Sequence, residues 1–559
     1  MAKVSKKSLK FLTARAHLLI YTVLAFIIFD PSIGYLLTLD MVFTPEITLP
    51  SITNPSYPFY LLLKILSFVL PVWVLQKILL VTIFVLAGLG AHKLMAYVMT
   101  SKKPATHGSW PYYFAGILYM INPFTYTRLM AGQFAVLLGY ALLPFVMLLA
   151  LKFLRRRSPS NAIRLGGLLA IVAIVSIHTL GLAVLLLACL VITCLLMYKP
   201  SKQQIVQGIK QGGIGIVVFA TLSSCWLLPL AIGTSKLGDT VSGFSSHDAH
   251  AFATQPGDIG TPLNVLALQG FWGDDKNLYL LPQDQYTWWL TPILLLWLLV
   301  AVGIYYGIKN QRTVSISLLI VALIGFVLAL GTTGTWFATI NTWLITHVPF
   351  FAGYRELQKF AALIALMYAY FGAFGVALII QKLHQKSLLK NLAVMLCLIL
   401  PFICSPLMLF GANGQLKATS YPADWYAMNE YLHDKAEGTR VLFLPWHLYM
   451  PFSFTDRVVA NPAGNFFNTK LYASKDPELG GASSYSTDPL TTKLDSIILP
   501  NAKNTARLAT ELRDLGISYI LLAKEYDHKR YDFLQAKAGI TIEHQTPNLV
   551  LYRIEGNTP

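Results

Sequence analysis

The chain has 559 residues, of which 55% are hydrophobic and only 12% are charged. Soluble domains carry about 25% charged residues, so this composition excludes an ordinary soluble protein and predicts a multi-pass membrane protein. The net charge of +17 would suit nucleic acid, but most basic residues recur in the loops of one predicted membrane face. We therefore expect that they face anionic lipid and that the chain has no nucleic-acid partner.

Apolar runs that could cross a bilayer recur down to residue 411. A crossing needs about 20 mainly apolar residues, and on this criterion the sequence predicts about eleven spans. They are 11–29, 71–92, 109–121, 134–152, 163–178, 181–198, 212–232, 287–307, 313–331, 361–380 and 391–411. Residues 57–70, before Pro71, are predicted to form a helix that lies on or dips into the outer surface. The first run has basic flanks but no small-residue cleavage site, so we expect an uncleaved helix.

The basic residues predict the orientation in the membrane. With the N-terminus in the cytoplasm, the inner loops are rich in Lys and Arg. The outer segments before residue 412 carry only Lys64, Lys77, Arg128, Lys236, Lys276, Arg355 and Lys359. All acidic residues up to 411 also fall on the outer side. We expect a plasma-membrane protein whose polar chemistry lies on its outer face.

The composition changes after the last predicted span. Most of the 26 acidic residues follow residue 411, so residues 1–411 are predicted as the membrane domain and 412–559 as an extracytoplasmic α/β domain. Buried strands are predicted at 441–446 and 517–523, with amphipathic helices at 423–436 and 503–516. The segments ITIEH and NLVLYRI are predicted to form a closing strand pair.

Three cations stand out on the predicted outer face, where cations are scarce. Arg128, Arg355 and Lys359 each adjoin a predicted helix end. Arginine binds phosphate oxygens bidentately, so these residues are candidates to hold a membrane-embedded phosphate. The alternative is that Arg128 and Arg355 neutralise nearby acids or contact lipid headgroups.

Asp40 lies in the apolar stretch YLLTLDMVFTPEITLP, at residues 35–50. A carboxylate there could act as a general base, a metal ligand, a salt-bridge partner or a helix cap. Asp30 precedes Pro31 and has a simpler explanation, because Asp-Pro is an ordinary turn signal at a helix end.

Two further segments of the outer face are weaker candidates. His247, Asp248 and His250 form a pattern that could hold a divalent cation, although no further ligand set accompanies them. The aromatic residues of GFWGDDKNLY, at 270–279, could stack on sugar rings or contact the bilayer. His178 could relay a proton, contact an acceptor, or serve as a satisfied interfacial histidine. The sequence contains no P-loop, Rossmann fingerprint or hydrolase elbow.

Three segments carry a resemblance to a known group of proteins. They are NPFTYTRLMAGQFAVLLGYALLPF at 122–145, SCWLLPL at 224–230 and PFFAGYRELQKF at 349–360. In order and spacing, roughly residues 20–380 resemble YfhO-like proteins and the membrane part of mycobacterial α-(1→3)-arabinofuranosyltransferase, which look like GT-C glycosyltransferases. Two departures are clear: Leu357 replaces the proline of the last element, and the first loop lacks a pair of acids.

The resemblance implies transfer of a sugar from a polyprenyl-phosphate donor to a cell-envelope acceptor. Asp40 would be the general base, with Asp30 as the reserve candidate. The transfer would invert the configuration at the anomeric carbon of the sugar. Arg128, Arg355 and Lys359 would hold the departing lipid phosphate. The predicted substrate contacts are Asn122, Tyr126, Gln133, His178, Tyr354 and Glu356. The resemblance makes no cofactor certain, and a divalent cation is possible.

Two other functions compete with sugar transfer. One is a non-catalytic role in the assembly of cell-envelope polysaccharide, which the altered YRELQKF segment keeps open. The other is transport of lipid or polysaccharide, although transporters favour charges at mid-membrane and internal repeats. The sequence names neither the sugar nor the acceptor.

Overall fold

The computed structural model describes residues 6–100, 108–235, 246–334, 336–435, 438–476, 478–479, 482–483, 489–501 and 508–556. The chain divides into two compact units. The first comprises Met1–Pro31, Pro50–Leu61 and Ile78–Leu416, and the second comprises Ser32–Leu49, Leu62–Lys77 and Lys417–Pro559. The second unit therefore includes the loop that carries Asp40, in addition to the C-terminal part of the chain.

The chain up to residue 416 is helical. Its helices are Lys6–Ile28, Tyr57–Ser67, Val72–Thr100, Trp110–Met120, Pro123–Met130, Phe134–Arg155, Pro159–Val175, Ile177–Tyr198, Lys202–Leu222, Ser224–Ala231, Ser246–Ala251, Thr261–Leu266, Pro282–Gln285, Leu290–Asn310, Arg312–Ala329, Phe337–His347, Ala361–Lys382, Ser387–Cys404 and Leu409–Gly414. Two 3-10 turns, Phe351–Tyr354 and Leu357–Phe360, precede the helix that begins at Ala361.

Eight helical segments in the described residues have the length and hydropathy to cross a bilayer. They are Val72–Thr100, Phe134–Arg155, Ile177–Tyr198, Lys202–Leu222, Leu290–Asn310, Arg312–Ala329, Leu357–Lys382 and Ser387–Gly414. Shorter apolar helices cover Ala16–Ile28, Tyr57–Ser67 and Pro159–Val175. The predicted class, a multi-pass helical membrane protein, is confirmed, whereas the count of eleven is not.

The predicted span at 109–121 differs most from the structure. Trp110–Met120 has only 11 residues, which at about 1.5 Å per residue is half the thickness of a hydrocarbon core. The helix ends because Ile121 is extended and Asn122 caps a new helix, Pro123–Met130. Tyr57–Ser67 forms the separate helix that was predicted before Pro71.

Ala361–Lys382 is the central helix of the first unit and is buried along most of its length. Glycines let its neighbours approach it closely, as is common between helices in membranes. A methyl group on Gly303 would overlap the carbonyl oxygen of Phe371, and one on Gly375 would overlap that of Leu299. Backbone therefore packs on backbone where Leu290–Asn310 meets the central helix.

The second unit contains a five-stranded sheet, whose strands lie in the order Lys470–Tyr472 (β4), Arg440–Leu444 (β1), Ile517–Ala523 (β7), Leu549–Ile554 (β9) and Ile540–Gln545 (β8). The strands of this unit are β1 Arg440–Leu444, β2 Tyr449–Pro451, β3 Val458–Ala460, β4 Lys470–Tyr472, β5 Glu478–Leu479, β6 Ala482–Ser483, β7 Ile517–Ala523, β8 Ile540–Gln545 and β9 Leu549–Ile554. β1 runs parallel to β4 and β7, and the other pairs of the sheet are antiparallel. The helices are Ala423–Lys435, Ala463–Phe466, Pro489–Asn501 and Leu508–Asp514, followed by the 3-10 segment His528–Ala536. The predicted α/β character is confirmed.

The loop 32–49 packs on this α/β structure through backbone contacts. Tyr35 exchanges two hydrogen bonds with Thr419, at 2.7 and 2.9 Å. The Tyr421 hydroxyl donates to the Phe43 carbonyl at 2.9 Å, and Ala460 N donates to Leu39 O at 2.8 Å.

We expect Gly303→Ala to destabilise the chain by about 1–3 kcal/mol, the usual cost of overpacking a core. Its methyl group would overlap a backbone oxygen that has no freedom to move away. Gly167→Ala is the matched control, because a methyl group on Gly167 meets nothing within 4 Å. Thermal unfolding in detergent measures both variants, and equal midpoints would contradict the prediction.

Candidate functional site

Arg128 lies in the last turn of the short helix Pro123–Met130. Local sequence fixes this helix, because Asn122 and Thr125 form a reciprocal capping box and Pro123 suits the first helical position. The Asn122 side chain also donates to Leu118 O at 2.9 Å and to the Tyr140 hydroxyl at 3.1 Å. Asn122 is buried and shapes the helix start that carries Arg128 into the core.

The guanidinium of Arg128 is fully buried and surrounded by polar partners. Its Nη1 donates to Gln133 Oε1 at 2.6 Å and to Glu356 Oε2 at 2.9 Å. Its Nη2 donates to Gln358 Oε1. Both terminal nitrogens are therefore engaged, as burial of a cation requires, whereas the buried Nε has no hydrogen-bond partner among the described residues.

Two aromatic rings cover the same guanidinium. Its central carbon lies 5.3 Å from the centre of the Phe124 ring and 4.8 Å from that of Phe271. Aromatic faces attract cations, most strongly where water is excluded. Phe271 and Trp272 of the GFWGDDKNLY segment are buried, so the structure places their rings inside the protein rather than on an exposed sugar or lipid surface.

Glu356 is the anion at the centre of the cluster. Gln133 Nε2 donates to both of its carboxylate oxygens, at 3.2 and 3.1 Å. Lys359 Nζ lies 3.4 Å from Glu356 Oε2, and the described residues give this ammonium no other polar partner. Arg128 and Lys359 thus share one carboxylate, and the three residues together carry a net positive charge.

The pKa of Glu356 follows from this arrangement. Burial by itself would raise it, but the Lys359 ammonium and the Arg128 guanidinium hold the pKa of Glu356 well below its usual range. The carboxylate is therefore ionised at neutral pH.

Asp274 forms a second, half-buried acidic position close to Phe271. Its Oδ2 accepts hydrogen bonds from the backbone N–H groups of Gly270 and Phe271, both at 2.9 Å, and its Oδ1 accepts one from the Tyr279 hydroxyl at 2.5 Å. Burial raises the pKa of Asp274 to about 6 despite these bonds. Burial also raises the pKa of Tyr279 well above its usual value.

The other predicted contacts surround the cluster. The Tyr126 hydroxyl donates to Leu280 O at 2.6 Å, and its ring meets that of Tyr279 edge-on at 6.2 Å. His178 Nε2 lies 3.0 Å from Gly353 O, and the Tyr354 hydroxyl donates to His178 O at 2.8 Å. These bonds tie the start of the helix Ile177–Tyr198 to the turn that precedes Glu356.

Arg355 is half-buried, beside this turn. Its guanidinium carbon lies 4.4 Å from the centre of the Phe252 ring. Phe252 in turn contacts Trp272 edge-on at 5.1 Å. The structure thus brings Arg128 and Lys359 to one carboxylate and places Arg355 on a neighbouring aromatic surface.

Asp40 belongs to the second compact unit and is exposed. Tyr449, at the start of β2, donates its hydroxyl to Asp40 Oδ1 at 2.6 Å. Asp30 belongs to the first unit, directly after the helix Lys6–Ile28, and is half-buried.

The predicted metal candidates lie on the short helix Ser246–Ala251. The side chains of His247 and Asp248 lie outside the described residues, and His250 is exposed. Where the structure describes the chain, no three His, Cys, Asp or Glu residues come together as a metal site.

Three cryo-EM structures of the arabinofuranosyltransferase AftD from Mycobacteria match this chain. The first has a TM-score of 0.66 and 16% identity, and the match covers 100% of this chain and 40% of that chain. The chain shares the fold of AftD. Two structures of an AftD point mutant also match. One has a TM-score of 0.65 and 15% identity and covers 100% of this chain. The other has a TM-score of 0.59 and 16% identity and covers 97% of this chain, and each match covers 42% of the mutant chain. The chain thus spans about two fifths of AftD.

Comparison of sequences matches a smaller part of the chain. The family model described as 6-pyruvoyl-tetrahydropterin synthase related domain, membrane protein, matches residues 54–245, and no curated protein matches the chain. The predicted resemblance to mycobacterial arabinofuranosyltransferase is confirmed for the fold, and the resemblance to YfhO-like proteins stays a prediction. At 16% identity, a shared fold does not establish a shared reaction.

Sequence reasoning missed several members of the cluster. Gln358, Phe124 and Phe271 contact the Arg128 guanidinium, and Asp274 supports the Phe271 backbone. The only available signal was proximity in sequence, since Gln358 lies between the two charged residues Glu356 and Lys359.

We expect Glu356→Gln to destabilise the chain by about 3–5 kcal/mol, because two buried cations would lose their counter-ion. The amide keeps the shape of the side chain but not its charge. Asp258→Asn is the control, since it also removes one carboxylate, at an exposed position. A Glu356→Gln midpoint equal to that of the control in a detergent unfolding assay would show that the cluster does not depend on this charge.

The pKa of Asp274 predicts a pH dependence of stability. Folding raises this pKa from 3.8 to about 6, so the folded chain holds the proton more tightly than the unfolded chain. The free energy of unfolding then falls between pH 4 and 6, by up to about 1.4 kcal/mol per pH unit, and levels off above.

Asp274→Asn removes this titration while it keeps a side-chain acceptor for the two backbone N–H groups. We expect the variant to gain stability relative to the wild type as pH rises from 4 to 6. Unfolding midpoints across this range measure the difference, and a constant offset would refute the assignment.

Proposed function

We propose that this chain is a plasma-membrane glycosyltransferase that takes its sugar from a polyprenyl-phosphate donor. The acceptor would be an extracytoplasmic glycan, lipid or protein. One observation carries the proposal: Arg128 and Lys359 share a single buried carboxylate, within a fold also found in an arabinofuranosyltransferase. The net positive charge of Arg128, Lys359 and Glu356 taken together suits an anionic leaving group.

The cluster can supply electrostatic catalysis. When the sugar leaves, negative charge builds up on the lipid phosphate, and fixed cations at that point lower the barrier. Lys359 is the best placed of the three cations, because an ammonium has three donors and Glu356 engages this one at a single contact. Arg128 would act by setting the positive field and orienting Glu356, since both of its terminal nitrogens are engaged.

Arg355 would add a second phosphate contact at the rim. The residue is half-buried, and its position over Phe252 would keep the planar donor group oriented. His178 and Tyr354, which tie the same turn to a helix start, would keep Arg355 and Glu356 in register with the donor. These cations would supply charge of the kind that a divalent ion provides in other phosphate sites.

Asp40 would act as the general base. Its carboxylate would accept the proton of the acceptor hydroxyl as that oxygen attacks the anomeric carbon. Attack opposite the departing phosphate inverts the configuration of the sugar. The hydrogen bond from Tyr449 would hold the carboxylate in one orientation.

We expect Asp40→Asn to lower the rate of sugar transfer by at least about 100-fold, because positioned bases contribute 10²–10⁴-fold. Tyr449→Phe should give a smaller loss, since the base stays but its orientation relaxes. Asp258→Asn serves as the exposed-acid control. The assay presents purified chain with several radiolabelled polyprenyl-phosphate sugars and a cell-envelope acceptor, and product stereochemistry reports inversion.

The same assay separates the competing outcomes. Full activity of Asp40→Asn would show that Asp40 is not the general base and would make Asp30 the candidate for that role. A wild-type chain that binds donor but transfers no sugar to any acceptor would instead support a non-catalytic role in envelope assembly.

A further inference from the structure

One face of the helix Ile177–Tyr198 lines two cavities in succession. Leu180, Val184 and Leu187 face the first. Val191, Cys194, Leu195 and Tyr198 face the second. These positions recur every three or four residues, so they form one stripe along the helix. Leu187 and Val191 are about 6 Å apart along the helix axis, so the two cavities follow each other along one face of this helix, and we refer to them together as the groove.

The second cavity is cationic and has a volume of about 650 Å³. Arg155 and Arg157 contribute its charges, and Tyr97, Gln204 and Gln311 add polar groups. Lys152 lies at its margin, with Nζ 5.7 Å from the centre of the Tyr97 ring. None of the described residues that line it is acidic, so an anion would find two guanidinium groups without competing carboxylates.

The first cavity is apolar and has a volume of about 430 Å³. It lies among the helices Phe134–Arg155, Pro159–Val175, Ile177–Tyr198 and Lys202–Leu222, and Phe153, Leu169 and Phe219 are among its walls. The back of the groove is closed by contact between two helices, because a methyl group on Gly166 would overlap the Gly215 carbonyl. Such a space suits a hydrocarbon chain.

The groove opens toward the apolar surface of the helix bundle. Val184 is 53% exposed, Leu195 44% and Tyr198 67%. Exposed aliphatic side chains on an apolar helix face lipid in a membrane protein. A ligand can therefore enter sideways from the bilayer.

The groove's cationic end is far from the Arg128 cluster. His178, beside the turn before Glu356, and Tyr198, in the cationic cavity, lie at opposite ends of one helix. Twenty residues of helix separate them by about 30 Å, the thickness of a hydrocarbon core. The site is thus independent of the proposed sugar transfer and lies at the membrane face that the basic loops assign to the cytoplasm.

We propose that this groove binds a phosphate-headed membrane lipid. The phosphate would lie between Arg155 and Arg157, whose guanidinium groups bind phosphate oxygens bidentately, and the hydrocarbon chain would follow Leu187 and Val184. Clusters of basic residues at helix ends recognise anionic headgroups in the cytoplasmic leaflet. An anionic phospholipid of the bilayer and a polyprenyl phosphate share this chemistry.

The test compares two double variants with the same change in charge. Arg155→Gln/Arg157→Gln removes both cations of the cavity. Arg156→Gln/Arg164→Gln removes two exposed cations that do not line the cavity, one between Arg155 and Arg157 and one on the following helix, Pro159–Val175. Native mass spectrometry of the purified full chain, loaded with phosphatidylglycerol, undecaprenyl phosphate or phosphatidylcholine, measures lipid retained per chain.

We expect the wild type and the Arg156/Arg164 variant to retain one phosphatidylglycerol or undecaprenyl phosphate. The Arg155/Arg157 variant should bind that lipid at least tenfold more weakly, and phosphatidylcholine should be retained poorly by all three. The anionic lipid that is retained more strongly shows whether the groove binds a bilayer phospholipid or a polyprenyl phosphate. Equal losses in both double variants, or equal retention of phosphatidylcholine, would overturn the proposal.

A steric variant tests the groove without changing its charge. Cys194→Trp places a large ring in the cationic cavity, and we expect it to reduce retention as strongly as the loss of both arginines. An unchanged unfolding temperature would show that the fold is intact. Undiminished lipid binding by this variant, or displacement of the lipid by millimolar inorganic phosphate alone, would show that the lipid does not occupy this groove.

Discussion

The ion pair between Arg128 and Glu356 is the interaction on which the candidate site depends. It joins two segments 228 residues apart, and both partners are buried. A buried guanidinium is tolerated only where its charge and donors are met. Gln133, Gln358 and two aromatic rings contact the rest of the guanidinium, whose Nε alone has no hydrogen-bond partner among the described residues. The turn from Phe351 to Phe360 is therefore held against the short helix Pro123–Met130.

The same pairing leaves Lys359 with a single direct anionic contact. One carboxylate contacts both Arg128 and Lys359, and Asp274 acts on Arg128 through space, so the Lys359 ammonium can still take a further anion as a partner. A lipid phosphate would supply it at this end of the bundle, and the groove at the other end of the helix Ile177–Tyr198 offers two arginines to a second phosphate. Both sites place cations beside apolar helix faces, the arrangement that a charged group on a hydrocarbon chain requires.

Local sequence determined most of the secondary structure. Apolar runs of sufficient length became helices, and the segments ISYILLA and NLVLYRI became β7 and β9, because hydrophobic period and length are local properties. The exception, 109–121, is instructive. Its composition suits a span, but Ile121 and Asn122 end the helix after 11 residues, since a capping signal outweighs hydropathy at that point.

The sequence by itself determined the membrane class, the α/β character of the C-terminal part and the three unusual cations Arg128, Arg355 and Lys359. Only the tertiary structure decided that Glu356 is the shared counter-ion of Arg128 and Lys359, that Phe271 lies on the Arg128 guanidinium, and that the Asp40 loop belongs to the α/β unit. Contacts between distant segments depend on how helices pack, and no local pattern encodes them. Charge and hydropathy are properties of single residues and can be read from the sequence, whereas the fold determines which residue pairs with a buried charge.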